Sequence, residues 1–218
     1  MKYGESTFDI LYLLFAIGAG WALLRRAENR AGKLMGAAAL VLGCGDAFHL
    51  LPRVLNYFSA GDLTAALGIG KLVTSVTMTV FYLLLYYIWL RRYGEPEKRG
   101  VTAALWILTI ARIGLCLFPQ NGWLTNSGDM TWAIARNLPF VVLGGWICLL
   151  YFRKRRADRA LHHVWLYILL SFLFYIPVAV GAGIVPLLGM LMLPKTVCYV
   201  LMLIAFLRAA WINGRKAG

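Results

Sequence analysis

The sequence predicts an all-α, polytopic membrane protein of seven helices forming one domain over residues 1–218, and three observations carry that prediction. Hydrophobic residues make up 61% of the chain and charged ones 14%, which leaves too little polar surface to cover a soluble domain. The apolar residues fall into seven runs, most of them close to the ~20 residues that cross a ~30 Å hydrocarbon core. Lysines and arginines collect in alternate breaks between those runs, the pattern that sets orientation in multi-pass proteins.

The first span, 9–24, has its apolar run at Leu11–Leu24 behind Glu5 and Asp9, where a cleavable leader would carry basic residues, and no cleavage site follows. It is expected to stay as a helix. Arg25, Arg26, Arg30 and Lys33 separate it from the second run, 34–52, in which Gly43 and Gly45 favour close helix approach ahead of Asp46, His49 and Arg53. The third run, 63–90, carries Lys71, Thr74 and Ser75 and ends at Arg91, Arg92, Lys98 and Arg99. The fourth, 101–118, holds Thr109 and Arg112; the fifth, 130–152, holds Arg136, Asn137, Pro139, Gly144 and Gly145. Arg153, Lys154, Arg155, Arg156 and Arg159 then precede the sixth run, 161–184, with Pro177, Gly181 and Gly183. The seventh, 187–211, follows Pro186, contains Pro194, Lys195 and Tyr199, and leads to Arg208, Arg215 and Lys216. Prolines inside such runs free carbonyls and kink helices around cavities.

An odd number of spans puts the termini on opposite sides, and every basic cluster falls on one of them, so the N-terminus is expected outside and the C-terminus inside. A bacterial cytoplasmic membrane is the expected location. The net charge of +13 is thereby assigned to topology: membrane lipids are the expected partners of these clusters, and nucleic acid is not. Cys44, Cys116, Cys148 and Cys198 all lie within apolar runs without metal spacing and read as small packing residues. Trp89, Trp123 and Trp211 read as interfacial anchors, while Trp106, Trp132 and Trp146 line the bundle or face lipid. Metal binding would need a third ligand beside Asp46 and His49, yet His162 and His163 begin the sixth run on the inner side; neither metal nor cofactor is expected.

Function is sought in the charges. Asp46, Arg53, Lys71, Arg112, Arg136 and Lys195 fall inside the runs, with His49 beside the first, and each such charge costs roughly 2.5–3.5 kcal/mol to insert. At ~1.5 Å per residue all of them reach the outer half of the bundle, and Asp46, His49 and Arg53 share one helix face through i, i+3, i+7 spacing. The expectation is a cationic, outward-opening pocket for an anionic or lipid-like ligand, lined by Arg53, Lys71, Arg112, Arg136, Asn137, Lys195 and Tyr199. Two bland readings stand beside it. Arg53, Arg112 and Arg136 are near enough to helix ends to snorkel to the interface, and Lys71 and Lys195 can pair with Asp46 as a buried structural ion pair. Asp46 with His49 also admits a catalytic reading, in which the carboxylate activates water or orients the imidazole.

The segment Gly45-Asp46-Ala47-Phe48-His49-Leu50 resembles part of the lysoplasmalogenase family, small polytopic hydrolases that cleave vinyl-ether lipids. That resemblance covers about ten residues and implies a catalytic role for Asp46. The family's eight helices and its second aspartate, in a later Ser-Asp motif, have no counterpart among seven runs without a later intramembrane aspartate. A second resemblance is one of layout: Lys71-Leu72-Val73-Thr74-Ser75-Val76 and Lys195-Thr196-Val197-Cys198-Tyr199-Val200 share Lys-x-Val-x-x-Val in helices running the same way. Two parallel three-helix repeats joined by the fourth helix would be similar to the sugar-transporting SWEET proteins. The lysine of the last helix is similar to that of microbial rhodopsins, but no carboxylate precedes it by one turn. Binding or sensory protein, intramembrane lipid hydrolase and small-solute transporter are therefore the three functional classes expected.

Overall fold

The computed structural model describes residues 2–58, 61–125, 128–181 and 185–214, with backbone alone at 186 and 212–214. Gly183, the end of the sixth run, and Arg215 and Lys216 lie outside the described residues. The helices are α1 (Lys2–Arg26), α2 (Arg30–Phe58), α3 (Thr64–Tyr93), α4 (Arg99–Leu117), α5 (Met130–Arg153), α6 (Val164–Gly181) and α7 (Met192–Gly214). Short 3-10 segments, Pro119–Asn121 and Pro186–Leu191, precede α5 and α7. All seven spans are long and apolar enough to cross a membrane, the last counted from Leu187.

Local chemistry sets several ends. The Asn29 Oδ1 accepts the Gly32 amide at 2.8 Å at the start of α2, and Asp129 accepts the Thr131 amide at the start of α5. Asp62 accepts the Thr64 amide at 2.9 Å ahead of α3, and hydrogen bonds from the Thr64 hydroxyl and amide hold the Asp62 carboxyl below its ordinary range. Gly94 ends α3 in the left-handed region (φ 62°), its amide returning to the Leu90 carbonyl.

Four boundaries differ from expectation for physical reasons. Helix α1 starts at Lys2, not near residue 9, so Glu5 and Asp9 lie within it; both are matched by α2, which runs on through Pro52 to Phe58. Tyr57 donates to Glu5 at 2.7 Å and Arg53 to Asp9 at 2.6 Å. Helix α6 begins at Val164 because Leu161–His163 form turns, with the Val164 amide on the Leu161 carbonyl. Pro186 opens a 3-10 segment, so Lys195 stands in the first α-turn of α7 rather than two turns in, and Pro194 occupies that same turn, where proline is tolerated.

The helices pack in chain order, and α7 returns against α1 and α2 to close a ring, with α3 also touching α5. An edge-to-face aromatic layer fills the middle. Phe81 meets Tyr199 at 5.9 Å, Tyr82 meets Phe140 at 5.2 Å and Phe172 at 5.3 Å between ring centres. At one end, the basic end, Arg92 pairs with Asp158 at 2.6 Å and reaches the Ala209 carbonyl, while Lys154 pairs with Glu95. These contacts bring the ends of α3 and α7 and the α5–α6 connection to one level.

Packing corrects some single-residue expectations. Cys44 is exposed and so does not pack, whereas Cys116 and Cys198 are buried. Trp89 is no interfacial anchor: it is buried, and its Nε1 donates to the Leu150 carbonyl at 3.0 Å. Trp123 is turned inward, with Nε1 on the Cys116 carbonyl at 2.7 Å, while Trp211 is exposed as expected.

Candidate functional site

At the end opposite the basic clusters, α2 to α7 surround a chamber of about 240 Å³. Among the described residues its wall contains Lys71, Arg112, Arg136, Lys195 and His49, and no carboxylate. Asn137, Thr74 and Ser75 add neutral polar groups, and Met78, Phe140 and Tyr175 supply much of the apolar surface. A second cavity of about 360 Å³ shares Lys71, Trp123, Arg136 and Ala179 with the first and is walled by the α4–α5 connection at Asn121, Gly122 and Gly128. Lys71 and Arg136 therefore stand between an inner chamber and a vestibule.

The arginines are positioned by a small scaffold on that connection. The Asn121 Nδ2 donates to the Leu115 and Phe118 carbonyls, each at 2.8 Å, which aims its Oδ1 at Arg136, 2.5 Å from Nη1. The Arg136 guanidinium lies 4.6 Å from the centre of the Trp123 ring. Arg112, 1% exposed, donates from Nη1 to the Arg136 carbonyl and sits 4.9 Å from the Phe140 ring centre. The Nε atoms of Arg112 and Arg136 and the Nδ1 of His49 are buried without a hydrogen-bond partner among the described residues. Buried polar groups left unmet are costly, and the two arginine Nε–H groups are the donors among them that an anionic occupant would satisfy.

Lys195 is 8% exposed, with Nζ 4.7 Å from the Tyr175 ring centre and 5.6 Å from that of Tyr199. The Tyr175 hydroxyl donates to Asn137 Oδ1 at 2.7 Å, and Asn137 Nδ2 donates to the Ala133 carbonyl at 2.8 Å, so one hydrogen-bonded string fixes α5 against α6 behind the lysine. The ion pairs among the described residues, Arg53–Asp9, Arg92–Asp158 and Lys154–Glu95, leave Arg112, Arg136 and Lys195 without a carboxylate at contact. Cations gathered around a small space without an acid in its wall create a field that favours an anion.

Of the residues selected from sequence, His49, Lys71, Arg112, Arg136, Asn137 and Lys195 meet at the chamber, and Asp46, Arg53 and Tyr199 are not in its wall. Asp46 receives the Tyr12 hydroxyl at 2.7 Å and remains an electrostatic neighbour of Lys195 without a contact ion pair to it. Arg53 neither snorkels free nor lines the chamber, because Asp9 holds it. Arg112 does not snorkel either; it is among the most buried side chains present. Lys71, in contrast, is exposed rather than buried, at the vestibule boundary. Tyr199 lies behind Lys195 in the aromatic layer.

Compared with protein-family models, curated proteins and solved structures, the chain matches none. The site must be read from its own chemistry. Sequence reasoning missed Asn121, Trp123 and Tyr175, which lie away from any charge pattern, and it missed Asp9 and Tyr12. For the last two a signal was present: Glu5, Asp9 and Tyr12 stand at i, i+4, i+7, one polar face along α1.

Proposed function

We propose that the chain is a multi-pass membrane protein, N-terminus outside and C-terminus inside, whose chamber binds a small oxyanion or the anionic head group of an amphiphile. The observation that carries this reading is a wall with four cations and a histidine but no carboxylate among the described residues. Orientation is supported by Arg25, Arg26, Arg91, Arg153 and Lys154, which end their helices on the side away from the chamber. At about 240 Å³ the chamber is smaller than the ~300–1,000 Å³ of drug-sized sites, so it suits a phosphate or carboxylate head rather than a whole lipid. The unmet Nε donors of Arg112 and Arg136 suit oxyanion acceptors, and Lys195 adds a point charge.

A transport reading of the same site is favoured by one observation. Lys71 and Lys195, the matching lysines of the two Lys-x-Val-x-x-Val segments, reach one chamber from α3 and α7, as two parallel three-helix repeats would bring them. The lysoplasmalogenase-like hydrolase reading has less support, because the Asp46 carboxylate is engaged by Tyr12 outside the wall while His49 is within it.

The test is native mass spectrometry of purified protein titrated with dodecyl phosphate and, separately, with a neutral dodecyl glycoside. Preferential retention of the phosphate amphiphile is expected, weakened about tenfold or more in Arg136→Ala and Lys195→Met, since hydrogen bonds to charged groups contribute roughly 1.5–3 kcal/mol. Equal retention of both amphiphiles, or unchanged affinity in both variants, overturns the proposal. Counterflow of radiolabelled inorganic phosphate in proteoliposomes distinguishes carriage from binding.

A further inference from the structure

A separate groove lies at the basic end, on the face made by α3, α4 and α5, and encloses about 600 Å³. Its floor is apolar: Trp89 and Leu90 come from α3, Val101 from α4, and Gly145, Trp146 and Leu149 from α5. A Cβ built on Gly145 meets nothing within 4 Å, so the groove extends to the α5 backbone. Around the other side of α5 a second slot of about 430 Å³ shares Gly145 and Leu149 and is walled by Trp165, Phe172 and Leu173 of α6. The two slots straddle one helix.

The mouth of the first groove is cationic. Lys98, Arg153 and Lys154 line it together with Glu95, whose carboxylate is taken by Lys154, so that Lys98 and Arg153, both exposed, carry the excess charge. Lys98 is also the N-cap of α4, and no side chain caps that helix. Lys98 and Val101 both line the groove, so the start of α4, with the positive end of its helix dipole, lies beside the two cations.

Apolar slots on both sides of a helix beneath a cationic, uncapped mouth match a molecule with two acyl chains and one anionic head. We infer that this face is a binding site for an anionic phospholipid, its phosphate at Lys98, Arg153 and the start of α4, and its chains along the two slots beside Gly145. A zwitterionic lipid fills the same slots, but its choline or amine meets the cations unfavourably, which makes the site selective for net charge. The inference rests on the bundle being inserted in a membrane with this end in a leaflet; it shares no residue with the anion chamber, so either site can fail while the other stands.

The experiment is native mass spectrometry of detergent-purified protein titrated with phosphatidylglycerol or phosphatidylcholine of identical chains. Preference for phosphatidylglycerol is expected in the native chain. Lys98→Ala combined with Arg153→Ala should weaken phosphatidylglycerol about 25-fold, at about fivefold per cation, and leave phosphatidylcholine little changed. Gly145→Leu, whose Cβ meets nothing within 4 Å and whose branch projects from the wall the two slots share, should reduce retention of both lipids. Gly18→Leu, on an exposed stretch of α1 where an added Cβ also meets nothing, should change neither. Equal affinity for the two lipids in the native chain, or full retention of phosphatidylglycerol in Gly145→Leu, overturns the inference.

Discussion

The Tyr12 hydroxyl on α1 lies 2.7 Å from Asp46 Oδ2 on α2, and that contact assigns the carboxylate to the helix pair rather than to the chamber beyond it. Tyr12 is 3% exposed and Asp46 half-buried, so the donor side of the bond is shielded. Asp46 nonetheless contributes its charge at longer range, opposing part of the field of Lys195.

Tyr12→Phe keeps the ring and removes the donor. Polar contacts between membrane helices average about 0.6 kcal/mol and reach about 1.7, so a loss near 1 kcal/mol is expected, read as a lower thermal midpoint in detergent. Anion binding in the chamber should persist. Asp46→Asn should tighten that binding, because it deletes a neighbouring negative charge without touching the wall; loss of binding in Asp46→Asn would show that the carboxylate holds the ligand after all.

The Asp9–Arg53 pair predicts a different pattern. Asp9 has 4% of its side chain exposed and Arg53 25%, so removing the acid strands a partly wetted guanidinium, and removing the base strands a dry carboxylate. Arg53→Met alone should therefore destabilise more than Asp9→Leu alone, the larger loss reaching about 3 kcal/mol, the low end measured for fully buried pairs. The combined Asp9→Leu/Arg53→Met chain should recover most of either loss. Strictly additive losses in chemical denaturation would mean that the two side chains do not cooperate.

Seven helices were legible because apolar run length is a local quantity, and six of nine site candidates converge because charges in apolar runs have few places to go. What was not legible depends on pairing between helices. Asp9 looked like a flanking residue until Arg53 of α2 was placed opposite it, and α2 could not be read past Pro52 without knowing that Tyr57 and Arg53 have partners on α1. Pro52 removes the amide that would bond the Phe48 carbonyl, a change that sequence reads as a stop signal and tertiary packing absorbs. Likewise, Lys195 looked deep because a 3-10 segment and an α-helix share one apolar composition. The scaffold of Asn121 and Trp123 is set by loop geometry, for which hydropathy carries no signal.

The Phe48 carbonyl faces α3 at Gly70. A Cβ on Gly70 of α3 would lie 2.2 Å from that oxygen and 2.7 Å from the His49 Cα, so the obstacle is the α2 backbone itself. A Cβ on Gly45 would meet the Thr77 Oγ1 at 2.0 Å, an obstacle that belongs to a side chain. Both glycines let α2 and α3 touch, but they fail differently when replaced. Gly70→Ala must push the helices apart at His49; overpacking of this kind typically costs 1–3 kcal/mol, and here it should also weaken anion binding, because His49 belongs to the chamber wall. Gly45→Ala should cost a similar amount and be rescued in part by Thr77→Ala, which removes the Oγ1 and Cγ2 and leaves the Thr77 Cβ, 2.5 Å from the added carbon, to be accommodated. Thr77→Ala should not rescue Gly70→Ala. Thermal midpoints and dodecyl phosphate affinity, measured across the two single and two double variants, separate the cases: rescue of both glycine variants by Thr77→Ala, or of neither, would mean that the α2–α3 contact is not the one described.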